Sequence, residues 1–196
     1  MEELGYFEIF FDQINKVNAI SDSDKQLCFE YFKVEKYAKN TIIEKAGEIH
    51  LFQNFIVSGY LRKFISNEDG VQITTDLTTE PSFFSCHLSL MERKISNENL
   101  ETITDCVLLR VKRDDIDLLF QRGKTIHQYT ILLFQKIIEK QGQKAYDLAN
   151  LSAKERYAKF TKTHPKLIQN VPLQYIATFL GITPQSLSRI RNQIIL

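Results

Sequence analysis

The side chains best suited to directional recognition lie close together near the end of this 196-residue sequence: Thr183, Gln185, Ser186, Ser188, Arg189 and Asn192. A guanidinium and a primary amide each present paired hydrogen-bonding groups, so Arg189 and Gln185 can each grip a partner edge at two points. Such chemistry needs one exposed ridge with an apolar reverse side. Leu187, Ile190 and Ile194, spaced three and four apart, supply that reverse side of a helix. Thr183 followed by Pro184 is an N-cap with proline at the first helical position, and Gly181 just before it suits a left-handed helix stop. Upstream, Pro172 opens a helix whose Leu173, Ile176, Ala177 and Leu180 share a face, and small Ala177 permits close crossing of the two helices. Helix, glycine turn and second helix form a helix-turn-helix. Its second helix is expected to enter the major groove of duplex DNA, where arginine matches guanine O6/N7 and glutamine matches adenine N6/N7.

Charge is distributed to match. The whole chain is nearly neutral, with a formal charge of +1, but residues 151–196 hold seven basic residues against Glu155 alone. That segment therefore carries +6 and residues 1–150 carry −5. A basic tail on an acidic body is the footprint of a phosphate-binding module, and Lys159 and Lys162 are expected to meet phosphates without regard to sequence.

Other chemistries find little support. Cys86 and His87 are neighbours in sequence, yet a catalytic thiol needs a histidine brought to it through the fold, so adjacency carries no nucleophile assignment. No phosphate-cradling glycine loop occurs, and no histidine pair sits at i, i+4 for a metal. No catalytic residue, metal ligand or cofactor is assigned, and the chain is not expected to be an enzyme. Cys28, Cys86 and Cys106 are far apart and read as buried thiols. No apolar run reaches the ~18–20 residues of a membrane span, and Glu2 and Glu3 open no signal peptide, so a cytoplasmic location without membrane association is expected.

The remaining elements must position the reading helix. Residues 2–35 read as two short helices, with Ser21-Asp22-Ser23-Asp24 as a capping cluster. From Tyr37 to Val111 the pattern changes to short Ile-, Val-, Phe- and Thr-rich strands, clearest at 55–58, 60–65 and 71–77, with a hairpin turn at 67–70 and one or two more strands over 100–111. So many short strands suggest a closed antiparallel roll. Asp114-Asp115 open a short helix ending at Gly123, and residues 125–150 form one long helix. Ile131, Phe134, Ile138, Gln141, Ala145 and Leu148 make a coiled-coil seam on it, while Ile126, Leu133 and Ile137 make a second apolar face. One face is expected to cover the roll and the other to pair with a second copy in a two-fold homodimer. Ser152-Ala-Lys-Glu155 is a capping box that starts a new helix, stopped at His164-Pro165. The expected fold class is α+β, with a roll domain over residues 1–124, a dimerisation helix over 125–150 and a helix-turn-helix domain over 151–196.

With elements in this order, the chain resembles the Crp/Fnr family of bacterial transcription regulators, through Leu151–Tyr157, His164–Pro172 and above all Tyr175–Arg191. These runs are similar to the branch of the family common in Bacteroidetes. The resemblance implies a cyclic-nucleotide-binding-like jelly roll that senses an effector, and a homodimer that reads a palindromic operator and contacts or blocks RNA polymerase. Two departures matter. Cyclic-AMP binders carry a Gly-Glu pair for the ribose and an Arg-Ser pair for the phosphate; those places hold Ser85-Cys86 and Ser96-Asn97. Without carboxylate and guanidinium a buried nucleotide would be unmatched, so cyclic AMP is not expected to bind tightly. Phe83, Phe84, Cys86 and Leu88 are the expected lining of a pocket for some other effector, or of a vestigial one; Arg93 and Lys94 lie near enough to replace the missing arginine but fit a surface loop better. Oxygen-sensing relatives hold an iron–sulfur centre on an N-terminal cysteine cluster, for which Cys28 alone is insufficient. His50, His87 and His127 are the histidines that an axial haem ligand would have to come from. In the reading helix, Pro184 and Gln185 replace the Arg-Glu pair of the cyclic-AMP receptor type and Arg189 matches its second arginine, so a different operator is expected. The competing reading is an effector-binding or protein-interaction module without sequence-specific DNA binding.

Overall fold

A computed structural model of the chain describes residues 2–79 and 81–194. Helices α1 (Glu2–Asn15) and α2 (Asp22–Tyr31) come first, and the Ser21 hydroxyl caps the second by accepting from the Asp24 amide at 3.2 Å. Among the described residues eight strands follow: β1 (Lys33–Tyr37), β2 (Ile42–Glu44), β3 (Phe52–Ser58), β4 (Tyr60–Ser66), β5 (Gln72–Thr79), β6 (Ser82–Phe83), β7 (Asn99–Thr102) and β8 (Cys106–Lys112). They pair antiparallel in two sheets, ordered β1-β8-β3-β6 and β2-β7-β4-β5. The expected β roll is therefore two facing sheets. Gly59 carries the chain from one to the other. Its φ of +101° and an added Cβ's 2.4 Å approach to Cys106 Sγ admit only glycine there.

Three places differ from the sequence reading. Residues 33–35 are strand, not helix, because Phe32 ends α2 in extended backbone and Lys33–Glu35 pair with Arg110–Leu108 of β8. A short helix, α3 (His87–Glu92), interrupts the strands, stopped by Arg93 at φ +53°. His164-Pro165 does stop one helix, but it also starts another, because proline at a first helical position forgoes no hydrogen bond.

Strand alternation sorts the core into layers. Phe55, Leu109 and Val111 face outward to α1, α2 and α4 (Arg113–Arg122), where Phe10 lies 4.9 Å from Phe55 and 5.7 Å from Phe83, ring to ring. Their neighbours Ile56 and Leu108 face inward and meet Leu61, Phe84 and Leu100 between the sheets. The long helix α5 (Lys124–Asn150) begins under this assembly: buried Asp24 accepts from the Thr125 and Ile126 amides at 2.7 and 3.2 Å. A carboxylate of α2 thus satisfies the exposed donors at the start of α5 and complements its dipole. Asp24 belongs to the expected capping cluster but caps a helix a hundred residues away.

The C-terminal region is α6 (Ala153–Thr163), α7 (Pro165–Asn170), α8 (Leu173–Phe179) and α9 (Pro184–Ile194). Ser152 and Glu155 form the expected box: the serine hydroxyl accepts from the Glu155 amide at 3.3 Å, and Glu155 accepts from the Ser152 amide at 2.8 Å. Ser152→Ala should cost about 1 kcal/mol and lower the thermal midpoint by roughly 2–4 °C; calorimetric unfolding checks this.

Candidate nucleic-acid interface

Packing of the helix-turn-helix starts from α8, whose Ile176 and Ala177 are fully buried against Tyr157 and Phe160 of α6, Leu167 of α7 and Leu187 of α9. The turn is closed by Gly181 at φ +69°, with the Ile182 amide donating to the Ala177 carbonyl at 3.0 Å. Only a residue that tolerates the left-handed region ends a helix this way cheaply. Thr183 then caps α9, its hydroxyl accepting from the Ser186 amide at 3.1 Å.

Leu187 is buried and Ile190 half-buried on the inner side of α9, while Gln185, Ser188, Arg189 and Asn192 are exposed on the other. The side chain of Ile194 lies outside the described residues. Of the six polar residues singled out, four form one open ridge. Thr183 and Ser186 stand at its N-terminal end and bond to each other at 3.0 Å, so their hydroxyls serve the cap as well. Elsewhere in the basic segment Lys154 and Lys162 are exposed and Arg191 is half-buried. Lys159 is placed differently. Its ammonium lies 2.7 Å from Asp147 of α5, so its charge is matched within the chain.

The face of α8 turned away from α9 rests on the roll. The Arg62 guanidinium of β4 lies between two rings, 3.6 Å from the Tyr175 centroid and 4.1 Å from that of Phe64. Arg62 is 1% exposed and bonds Gln72 and Glu101 at 2.5 Å each. Beside it the Thr178 hydroxyl accepts from the Thr74 amide at 3.1 Å, and Leu77 and Ile103 of the roll join the helix-turn-helix core. This seating has no signature in the sequence, because Arg62 sits in a strand pattern that fits a solvated cation equally well.

The expected effector-pocket residues are spread out. Phe83 belongs to the outer aromatic cluster and Phe84 to the layer between the sheets. Leu88 is 77% exposed, and Arg93 pairs with Asp114 at the surface. Cys86 is buried, and burial together with the nearby Glu98 carboxylate pushes its thiol above the ordinary range. Near Cys86 lies an ion cluster of the chain's own: Lys63 Nζ is 3.7 Å from Asp76 and 3.9 Å from Glu98. The Ser96 hydroxyl accepts from the Glu98 amide at 3.0 Å. His50 is buried beside Glu44, His127 is exposed, and His87 packs its ring 5.8 Å from that of Phe134, so the three histidines share no site. Burial lowers the His87 pKa to about 4.

On α5 the two apolar faces separate as their spacing requires. Ile126 is buried and Leu133 and Ile137 half-buried, whereas Ile131, Ile138, Gln141, Ala145 and Leu148 are exposed and Phe134 is half-buried. Among the described residues no helix is long and apolar enough to cross a membrane.

A two-sheet roll joined by one long helix to a compact helix-turn-helix is the architecture of the Crp/Fnr transcription regulators, and solved structures of that class are the structural neighbours of this chain. A transcriptional regulator described as of the Crp/Fnr family, from Eubacterium rectale, aligns over 96% of this chain and 87% of its own, with a TM-score of 0.69 at 18% identity. FixK2 of Bradyrhizobium japonicum aligns over 83% and 84%, with a TM-score of 0.71 at 17% identity. The c-di-GMP-responsive global regulator CLP of Xanthomonas campestris aligns over 89% and 91%, with a TM-score of 0.68 at 17% identity. At such identities the shared property is the fold. No family model matches the sequence, and no curated protein does.

Proposed function

We propose that the chain is a DNA-binding transcriptional regulator of the Crp/Fnr type, a homodimer that reads a palindromic operator through α9. One observation carries this reading: Gln185, Ser188, Arg189 and Asn192 stand exposed on a helix whose opposite side is fixed by Leu187. The acidic body and basic C-terminal segment support it, since phosphate neutralisation releases counterions from DNA. Selection of binding sequences from a random duplex pool tests it. An inverted repeat with half-sites about one helical turn apart is expected; retention of no sequence above background overturns it.

The dimer would form along the outer seam of α5. Exposed apolar side chains at Ile131, Ile138 and Leu148, continued by Gln141 and Ala145, suit a two-fold helical pair. Ile138 is 71% exposed within one chain. Ile138→Glu should therefore convert the dimer to a folded monomer, seen as a halved mass by sedimentation with an unchanged circular dichroism spectrum. A dimer that persists would place the interface elsewhere.

The roll would sense an effector other than cyclic AMP. The places where the resemblance puts the carboxylate and guanidinium of a cyclic-AMP site hold Ser85-Cys86 and Ser96-Asn97, and the nearby Lys63 is already paired with Asp76 and Glu98. RNA polymerase would be the further partner of the DNA-bound dimer.

A further inference from the structure

A cleft of about 270 Å³ lies outside the roll's interior, between the second half of α5, strand β5 and the helix-turn-helix domain, and Gln141 and Leu148 of the α5 seam also line it. Its floor is apolar, built from Leu77, Phe160, Phe179 and Leu180. Its walls are cationic: Lys140, Lys144, Arg156 and Lys159 all line it. Two of these are matched by carboxylates, Lys140 by Asp76 and Lys159 by Asp147, each at 2.7 Å. The other two donate to backbone oxygens, and the Lys144 ammonium also stands over the Phe179 ring, 4.3 Å from its centroid. Arg156 donates to the carbonyls of Leu151 at 2.5 Å and Leu180 at 2.9 Å, and Lys144 donates to that of Thr75. Four cations against two carboxylates leave an excess of two positive charges around an apolar floor. Burial holds the Lys144 ammonium below the ordinary lysine range even though Asp76 opposes the shift. An anion entering the cleft would relieve that cost, since an opposite charge nearby favours the charged form.

We propose that this cleft binds an amphiphilic monoanion, its apolar body on the Phe160–Phe179 floor and its acid group drawn to Lys144 and Arg156. The combination of an apolar surface with a few convergent polar groups is that of small-molecule sites in general. Its position gives the ligand a consequence that rests on the regulator reading. The floor takes residues from β5, α6 and α8, so an occupant contacts the roll and the reading head together and favours the arrangement in which they are seated.

Calorimetric titration of the full-length protein with decanoate, decanol and decylamine tests the site. Decanoate should bind once per chain and at least tenfold more tightly than either uncharged or cationic counterpart. Lys144→Gln should weaken decanoate at least tenfold and leave decanol unchanged, and Lys144→Arg should restore binding. Arg156 also ties α6 to the ends of α5 and α8, so Lys144, which bonds the Thr75 carbonyl and rests on the Phe179 ring, is the deciding position. Equal affinity for decanoate and decanol, or an undiminished response in Lys144→Gln, overturns the proposal. The readout needs no DNA: decanoate binding in a protein that selects no duplex sequence would defeat the regulator reading and leave the cleft standing.

Discussion

A dimer carrying Arg189→Ala is expected to keep its fold and its mass and to lose sequence discrimination at one base position in each half-site. Arg189 is exposed on α9, so its truncation should change stability by no more than about 0.5 kcal/mol. A bidentate arginine–guanine contact contributes about 1–3 kcal/mol of discrimination. Two half-sites that add independently give about 2–6 kcal/mol for the operator. The contrasting substitution is Lys162→Gln, an exposed cation on α6 that would meet phosphate only. It should weaken operator and random duplex alike and lower the salt slope by about two, one for each half-site. Gel-shift titrations at two salt concentrations, on the operator and on variants changed one base at a time, separate the two. If both mutants lose affinity uniformly on every sequence, Arg189 reads no base and the assignment of the ridge falls.

Why α9 was legible in the sequence while its seating was not comes down to the range of the interactions. Pro172, Gly181, Thr183 and Pro184 each set a local backbone state, and they agree with the apolar spacing of Ile176, Leu180 and Leu187. The long helix was legible for the same reason, its two stripes visible in period alone. Helix α3 was not: six residues with no side-chain cap at Cys86 leave no periodic signal among strands. Helix α7 carried its signal in Pro165, which the same rule reads either as a stop or as a start. The contacts that join the parts are long-range. Asp24 reaches Thr125, Arg62 reaches Tyr175, and Lys140 reaches Asp76; each of these side chains would satisfy its local pattern equally well in water. The expected effector pocket failed to gather for a related reason. Phe83 and Phe84 are adjacent in an extended segment, so their side chains leave on opposite faces and enter different layers.

Asp76 concentrates the electrostatics that hold α5 against the roll, and its replacement should have the largest effect on stability. Burial by itself would raise its pKa, but Lys140 and Lys63 outweigh that and hold it below the ordinary 3.8. Asp76→Asn keeps the shape and the Oδ1 that accepts from the Leu77 amide and from Lys140, but removes the charge and puts an NH2 donor where Oδ2 faces Lys63. It leaves the Lys63 ammonium, 8% exposed, with Glu98 as its remaining anion, and deprives Lys140 of its counter-charge. Breaking a buried pair from one side costs about 3–5 kcal/mol. The side of the pair that reaches solvent through half-exposed Lys140 places the expected loss near about 3 kcal/mol, a fall in thermal midpoint of roughly 6–12 °C. The pH dependence follows from the sign of the shift. A carboxyl whose folded pKa is depressed contributes its full stability above the unfolded value and loses it as pH falls through the folded one. The gap between wild type and Asp76→Asn should therefore be constant from about pH 5 upward and shrink below 3.8. Lys140→Gln is the control. It removes a half-exposed cation and leaves Asp76 with Lys63 and Lys144, so its cost should be smaller than that of Asp76→Asn. Equal destabilisation by both substitutions, or a gap that widens in acid, would show that Asp76 does not carry the charge on which this seam depends.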